Sequence, residues 1–472
     1  MKILFVASEA GPFARTGGLG DVAAALPKAF KALGHDIRVV IPYYKQIIPS
    51  QYQNLMSYEG STFVDLSWRR QYCGVFKAVY DGITYYFIDN EYYFKRPGLY
   101  GDFDDGERFA FFSKAVLESM PIMDFVPDII HANDWQTALI PVFLDCFYRY
   151  SKEYQKIKTV FTIHNIEFQG KYNKNLIYDI LGLPYGAESL VEDSDCVNYM
   201  KGGIESAARV TTVSETYAEE LMHPFYSFGL DPILGNRKFK MRGVINGIDT
   251  VLYDPKTDKA LFKNYDVKSL ADRVENKKGL LEMLDLPFDP EKPVIGMVTR
   301  LTEQKGLDLV AAVIEEILSA NLQFIVLGKG DWKYEEMFRS LEGRYPKKLK
   351  AVIGFSSDIA SKIYAGSDMF LMPSKFEPCG LSQMIAMRYG SIPIVRETGG
   401  LKDSVTPFDG EKGSGFTFKT YNSYDMLDAV WRAFGTYQDQ EKWQKVITNA
   451  MNEDFSWEKS AKKYIEIYKD IK

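Results

Sequence analysis

Phe376-Glu377-Pro378-Cys379-Gly380-Leu381, followed one element later by Thr398-Gly399-Gly400-Leu401, decides the fold of this chain. The apolar runs before these stretches, Met369–Met372 and Ile392–Val395, have the length of buried parallel strands. The motif therefore sets a carboxylate and glycine-rich backbone at the carboxyl mouth of an α/β sheet, where such folds bind ligands. Working outward, Val294–Val298, Phe324–Leu327 and Val352–Ile353 complete the strands of the second half, each followed by a helix-compatible stretch. The first half repeats the pattern with Ile3–Ala7, Ile37–Ile41, Ile129–His131, Val160–Ile163 and Val210–Val213. Val75–Tyr80 and Ile83–Ile88 flank Asp81-Gly82 and read as an inserted β-hairpin. The fold class is thus α/β, with two Rossmann-like, doubly wound parallel-sheet domains.

A length of 472 residues also exceeds one ordinary core. The domains are expected over 1–250 and 251–455, with the linker in the polar segment Tyr253–Lys263. Residues 456–472 carry helical periodicity after the stop at Asp454-Phe455-Ser456 and are expected to pack back on the first domain. A net charge of -6 gives no electrostatic footprint for nucleic acid and argues against a polybasic membrane anchor. Hydrophobic residues at 46% and charged residues at 25% fit a soluble globular chain. The four cysteines, Cys73, Cys146, Cys196 and Cys379, have neither zinc nor disulfide spacing, so a reducing cytoplasm is expected. The run Met1–Ala7 is too short for a signal core and reads as a buried first strand.

A second glycine loop, Arg15-Thr16-Gly17-Gly18-Leu19-Gly20-Asp21, precedes a helix built on Val22, Ala25, Leu26, Ala29, Phe30 and Leu33. Its backbone N–H groups are expected to face an anion, although a plain tight turn also explains it. Gly18, Gly20 and Ala23 match dinucleotide-binding spacing, but Ser8–Thr16 intervenes after the strand and the second strand ends at Pro42-Tyr43 without an acid. Arg15 either reaches a diphosphate or is a solvated loop charge. His164-Asn165 follows a strand directly, so His164 is expected to hydrogen-bond a substrate hydroxyl, donate a proton or stabilise the strand end. His131 reads as structural, with Asp134 capping the helix that Trp135 begins. Arg300 and Lys305, around the turn after Val294–Val298, suit a departing diphosphate, although a plain surface charge pair also explains them. Glu377 reads as the key carboxylate, near a helix expected to begin at Gly380, where it binds sugar hydroxyls, does acid–base work or is simply an N-terminal helix charge. Cys379 reads as a small neighbour of that site, and Phe355 as either a nucleobase platform or, more simply, a core residue. No cluster of Asp or His points to a metal.

Taken together, these residues resemble the glycogen and starch synthases of glycosyltransferase family 5. The resemblance spans essentially the whole chain: the Thr16–Leu19 loop, His131–Trp135, His164-Asn165, Asn246-Gly247-Ile248-Asp249, Arg300–Gly306, Ser374–Gly380, Met387-Arg388-Tyr389-Gly390 and Thr398–Leu401. It implies the GT-B fold with a cleft between domains, the first on the acceptor side and the second binding nucleotide-sugar. It also implies a cytoplasmic enzyme that transfers glucose from ADP-glucose to the non-reducing 4-OH end of glycogen or another α-1,4-glucan. Transfer would retain configuration, release ADP and use no metal or other cofactor. By the same resemblance Arg300 and Lys305 neutralise the diphosphate, Glu377 contacts the donor glucose, and His164 holds that glucose. Donor contacts are carried over onto Arg15, Gly17, Gly18, Asp21, Asn246, Phe355, Cys379, Gly380, Thr398, Gly399 and Gly400. The chain departs from the family pattern with Arg15 for Lys, Lys375 for Arg and Phe355 for Tyr. No matched carboxylate is an evident nucleophile, so front-face attack is expected.

Three other readings are open: UDP-glucose or another acceptor, a non-catalytic glucan-binding protein, and a nicotinamide-dependent dehydrogenase. A sucrose synthase would carry a second Glu where this chain has Ile385. A strand opening the chain, without a transit peptide, favours a bacterial enzyme over a plastid one.

Overall fold

The computed structural model describes residues 1–472 and divides into two compact units. The first comprises Met1–Gly247 with Trp457–Lys472, and the second Ile248–Ser456. The division falls after Gly247, ahead of the expected linker at Tyr253–Lys263, because that segment is woven into the second unit. Ile248 N–H donates to the Phe455 carbonyl at 2.8 Å, and the Arg388 guanidinium donates to the carbonyls of Thr250 and Tyr253. Tyr389 continues the anchorage, with its hydroxyl donating to Asp258 at 2.7 Å and its carbonyl accepting from Tyr265.

In the first unit a nine-stranded sheet is formed by β1 (Lys2–Val6), β2 (Asp36–Pro42), β3 (Ser57–Leu66), β4 (Arg69–Tyr80), β5 (Ile83–Asp89), β6 (Ile129–Asn133), β7 (Lys158–Ile163), β8 (Arg209–Thr212) and β9 (Met241–Gly243). Their spatial order is β9-β8-β7-β6-β1-β2-β5-β4-β3. Six neighbouring pairs are parallel; only β3–β4 and β4–β5 are antiparallel. The inner strands are continuous apolar runs because both faces are covered: Ile3, Leu4, Phe5 and Val6 are wholly buried. The hairpin turns at Asp81 and Gly82, both at positive φ (47° and 74°), the backbone a two-residue connection requires. The helix Gly18–Ala32 covers β1 and β2 with Val22, Leu26 and Phe30, and Phe30 meets Tyr468 of the last helix, Trp457–Ile471, at 5.6 Å between ring centroids. That contact, with Ser460 Oγ donating to the Ile245 carbonyl at 2.6 Å, ties the chain's last helix into the first unit.

The second unit is an all-parallel sheet of β10 (Val294–Val298), β11 (Gln323–Gly328), β12 (Leu349–Ile353), β13 (Met369–Met372), β14 (Ile392–Arg396) and β15 (Phe416–Phe418). Its order, β12-β11-β10-β13-β14-β15, reverses direction between β10 and β13. Loops leaving the carboxyl ends of those two strands part to opposite sides and leave a crevice, the position at which doubly wound sheets bind ligands. In the first unit the corresponding reversal lies between β1 and β6.

Candidate active site

The reversal in the second unit brings together loops about seventy residues apart in sequence. Lys305, from the loop after β10, donates through Nζ to Glu377 Oε2 at 2.6 Å, and Ser374 Oγ donates to the same oxygen at 3.0 Å. Both ionic side chains are largely out of water, at 15% and 8% exposure. Such a pair is held in one geometry by the packing around it. Lys375 N–H donates to the Gln304 carbonyl at 2.9 Å, and Arg396 donates to the Lys375 carbonyl at 2.6 Å, so the two loops are also joined through backbone. Glu377 is not the helix-terminal charge expected from sequence. The helix begins only at Ser382 and is seven residues long, so the carboxylate is oriented by Lys305 and Ser374 instead of a helix dipole.

Gly399 and Gly400 serve this carboxylate differently from the anion cradle expected of them. A Cβ on Gly399, whose φ is +44°, would lie 2.0 Å from the Glu377 carbonyl oxygen. One on Gly400 would lie 2.1 Å from the Cys379 carbonyl oxygen, and Gly400 N–H donates to the Glu377 carbonyl at 3.1 Å. The glycines therefore let the backbone after β14 close against the Glu377–Cys379 segment. Thr398, wholly buried, leads into their helix, while Cys379, 5% exposed, and Gly380 accept at their carbonyls from Gln383 Nε2. Arg300 is exposed and donates to Gln304 Oε1 at 3.3 Å, so its guanidinium keeps capacity for an anion. Phe355 is 84% exposed, so the core reading favoured by sequence logic does not hold, and its ring is available for stacking.

In the first unit, the loop after β1 is closed by a residue that sequence reasoning missed. Glu9, 2% exposed, accepts from Thr16 N–H and Oγ1 (both 2.7 Å), Gly17 N–H (3.2 Å) and Gly20 N–H (3.0 Å). Three N–H groups offered by sequence to a substrate anion are thus occupied by the protein's own carboxylate. The available signal was an acid immediately after the first strand, eight residues before Gly17. Gly18 is different: open space surrounds the position of its missing Cβ. Arg15 forms an ion pair with Asp21; burial raises the Asp21 carboxyl pKa, and Arg15 opposes that rise.

His164 is fixed by two residues at the end of β6. Asn133 Nδ2 donates to the carbonyls of Val6 and His131, which leaves Oδ1 to accept from His164 Nε2 at 2.9 Å. Because a carbonyl oxygen only accepts, Nε2 carries the proton and Nδ1 is left as an acceptor. Burial lowers the imidazole pKa to about 3, so the ring is neutral near pH 7. Asp134 does not cap the Trp135 turn. Its Oδ1 accepts from the N–H groups of His164 (2.7 Å) and Asn165 (3.4 Å), while burial, the larger effect, raises its pKa to about 7. His131 is structural, wholly buried between Tyr468 Oη and Thr162 Oγ1. Asn246 is 6% exposed with a buried Oδ1 that has no protein partner.

These features define a class. Two α/β units, the second with strand order 3-2-1-4-5-6 and a buried Lys–Glu pair at its reversal, are the architecture of the GT-B fold class. The family described as "Starch synthase catalytic domain" matches residues 2–236, and "Glycosyl transferases group 1" matches residues 282–452. The chain is 50% identical over 480 residues to the glycogen synthase of Clostridium novyi (strain NT), covering 100% of this chain and 99% of that protein. It is 49% identical over 475 residues to the glycogen synthase of Bacillus cereus (strain ATCC 14579), covering all of both. The catalytic domain of starch synthase IV from Arabidopsis thaliana, solved bound to ADP and acarbose, superposes with a TM-score of 0.90 at 35% identity, covering 100% of this chain and 99% of that one. Sucrose-phosphate synthase from Thermosynechococcus elongatus shares the fold alone, with a TM-score of 0.61 at 16% identity over 99% and 98% of the chains. The chain belongs to the glycogen synthase family. No helix is long and apolar enough to cross a membrane.

Proposed function

We propose that the protein transfers glucose from ADP-glucose to the 4-OH at the non-reducing end of an α-1,4-glucan, with retention of configuration and release of ADP. The observation that carries this reading is the buried Lys305–Glu377 pair, with Ser374 on the same oxygen, at the reversal of the second unit's sheet. In this reading the second unit holds the donor. Arg300 and Lys305 meet the diphosphate as its negative charge grows, so no metal is required for that step. Phe355 stacks on the base, and the ADP bound to the starch synthase IV relative supports adenine as that base. The first unit takes the acceptor, and His164 Nδ1 accepts from a sugar hydroxyl.

The transfer is a front-face displacement. The acceptor O4 forms a bond to the donor C1 as the C1–O bond to the diphosphate breaks. The leaving pair stays on the diphosphate, which receives the acceptor's hydroxyl proton. Glu377, oriented by its ion pair with Lys305, stabilises positive charge at the reacting centre. A cytoplasmic location fits four cysteines, none of them in a disulfide. The test is nucleoside diphosphate release from ADP-glucose or UDP-glucose with and without glycogen. Glycogen-dependent ADP release is expected. UDP release alone would change the donor, and silence with both would overturn the transferase reading.

A further inference from the structure

The loops that carry Lys305 and Glu377 share a backbone hydrogen bond, from Lys375 N–H to the Gln304 carbonyl. A second brace reaches them from outside both loops. It is Tyr421, half-buried in the short segment between β15 and the helix Ser423–Tyr437.

Tyr421 holds the loop after β10 by its hydroxyl, which donates to Asp308 Oδ1 at 2.5 Å with the Glu303 carbonyl 3.3 Å away. Those two residues stand on either side of Lys305 in the chain. The ring serves the loop after β13. Lys375 Nζ and Arg396 Cζ lie 5.8 and 5.6 Å from its centroid, inside the reach of about 6 Å for a cation over an aromatic face. Arg396, 9% exposed, in turn donates to the carbonyls of Ser374 (3.4 Å) and Lys375 (2.6 Å), and Ser374 Oγ bonds the Glu377 carboxylate. A phenol suits both tasks, because its hydroxyl donates at the edge while its face attracts cations. Burial, then the Asp308 bond, pushes the Tyr421 pKa well above the usual value, which keeps the donated proton in place.

The brace is itself anchored. Asn422 Oδ1 accepts from Tyr424 N–H at 2.8 Å and caps the helix Ser423–Tyr437, which packs on the helix Leu307–Ser319. Glu397 N–H donates to the Phe418 carbonyl at 2.8 Å, tying the strand before Tyr421 to the residue after Arg396. Such support matters because a buried ion pair offsets its desolvation only at close approach. Sliding one loop past the other would part Lys305 from Glu377.

We propose that Tyr421 is a positioning residue for the Lys305–Glu377 pair. It clamps the loop after β10 by its hydroxyl and the loop after β13 through Lys375 and Arg396. It acts through Lys305 and Glu377 and has no part in bond making. Its effect on turnover rests on the transferase reading above.

The test is a double-mutant cycle on the whole protein: wild type, Tyr421→Phe, Tyr421→Ala and Lys305→Ala, with both tyrosine variants also built on Lys305→Ala. Each is assayed for glycogen-dependent ADP release and titrated with ADP by calorimetry, and a thermal melt verifies folding. Expected is a kcat lowered roughly tenfold in Tyr421→Ala and about threefold in Tyr421→Phe, which keeps the ring and loses the Asp308 bond. The Kd for ADP should rise in the same order, with the KM for glycogen unchanged. On Lys305→Ala the tyrosine should no longer matter, in kcat or in Kd, because the group it positions is gone. A residue that only supports the fold gives the same loss in both backgrounds, and that result overturns the proposal. So does Tyr421→Ala within twofold of wild type in kcat and Kd. Tyr421→Phe makes the same comparison if the alanine variant does not fold. ADP binding coupled between Tyr421 and Lys305, without any transfer, would keep the positioning role and reject the transferase reading. A wild type that neither transfers glucose nor binds ADP overturns both.

Discussion

Gly400→Ala isolates what the glycines after β14 do. Gly400 has no positive φ, so an alanine there carries no intrinsic backbone strain, and its effect comes from contact alone. The new methyl would stand 2.1 Å from the Cys379 carbonyl oxygen and 2.5 Å from its Cα. Real Cβ contacts do not fall below 3.0 Å, so the two segments must separate by 3.0 − 2.1, or 0.9 Å. The Gly400 N–H bond to the Glu377 carbonyl, 3.1 Å in the native chain, is stretched or lost as they part. A displacement near 1 Å at a catalytic group lowers turnover by roughly 10²-fold. Glycogen-dependent ADP release should therefore fall by about that factor in kcat/KM for ADP-glucose. The KM for glycogen should change little, and the melting temperature should fall, since overpacking a buried contact costs about 1–3 kcal/mol. Gly18→Ala is the control, because its Cβ meets nothing within 4 Å. If phosphate cradling were the common role of both loops, the two variants would be equally impaired. Gly400→Ala with activity within threefold of wild type would refute the packing argument.

Three further outcomes follow from the same geometry. Lys305→Ala leaves Glu377 nearly buried without its cation, so the melting temperature should drop, by about 3 kcal/mol of stability, and transfer should fall by roughly 10²–10³-fold. Asp134 binds a proton in the folded chain up to about pH 7, while the unfolded chain loses it near pH 4. Wild-type stability therefore falls as pH rises through that window, and Asp134→Asn, which cannot ionise, should gain in melting temperature relative to wild type at pH 8 compared with pH 5. Chelation with EDTA should leave glycogen-dependent ADP release unchanged, and a loss restored by a divalent cation would contradict charge neutralisation by Arg300 and Lys305.

The parallel strands were legible because burial on both faces makes them continuous apolar runs, as in Val294–Val298, where the expected and observed limits coincide. The edge strand β3 was not, since Ser57–Leu66 keeps no strict alternation of polar and apolar residues and is broken by a bulge between Tyr58 and Gly60. The three-residue strands Met241–Gly243 and Phe416–Phe418 carry too little sequence to show a period. At the site, Glu377 and Lys305 were readable as chemistry at strand ends. Their contact is a product of the strand order, which no local pattern states. The Glu9 clamp and the Asn133–His164 hydrogen bond depend on loop closure, and so on backbone geometry that residue spacing does not encode. The glycine motifs show the limit most clearly. The same residue type marks close backbone packing at Gly400 and open space at Gly18, and only coordinates separate them.

The central claim is that the carboxylate held by Lys305 acts on the donor in a glucosyl transfer. Its most direct test is Glu377→Gln, which keeps size and hydrogen-bonding shape while removing the charge. Glycogen-dependent ADP release should fall by roughly 10³-fold in kcat, with the KM for ADP-glucose within a few-fold and the protein still folded. A variant that turned over within tenfold of wild type would contradict the account.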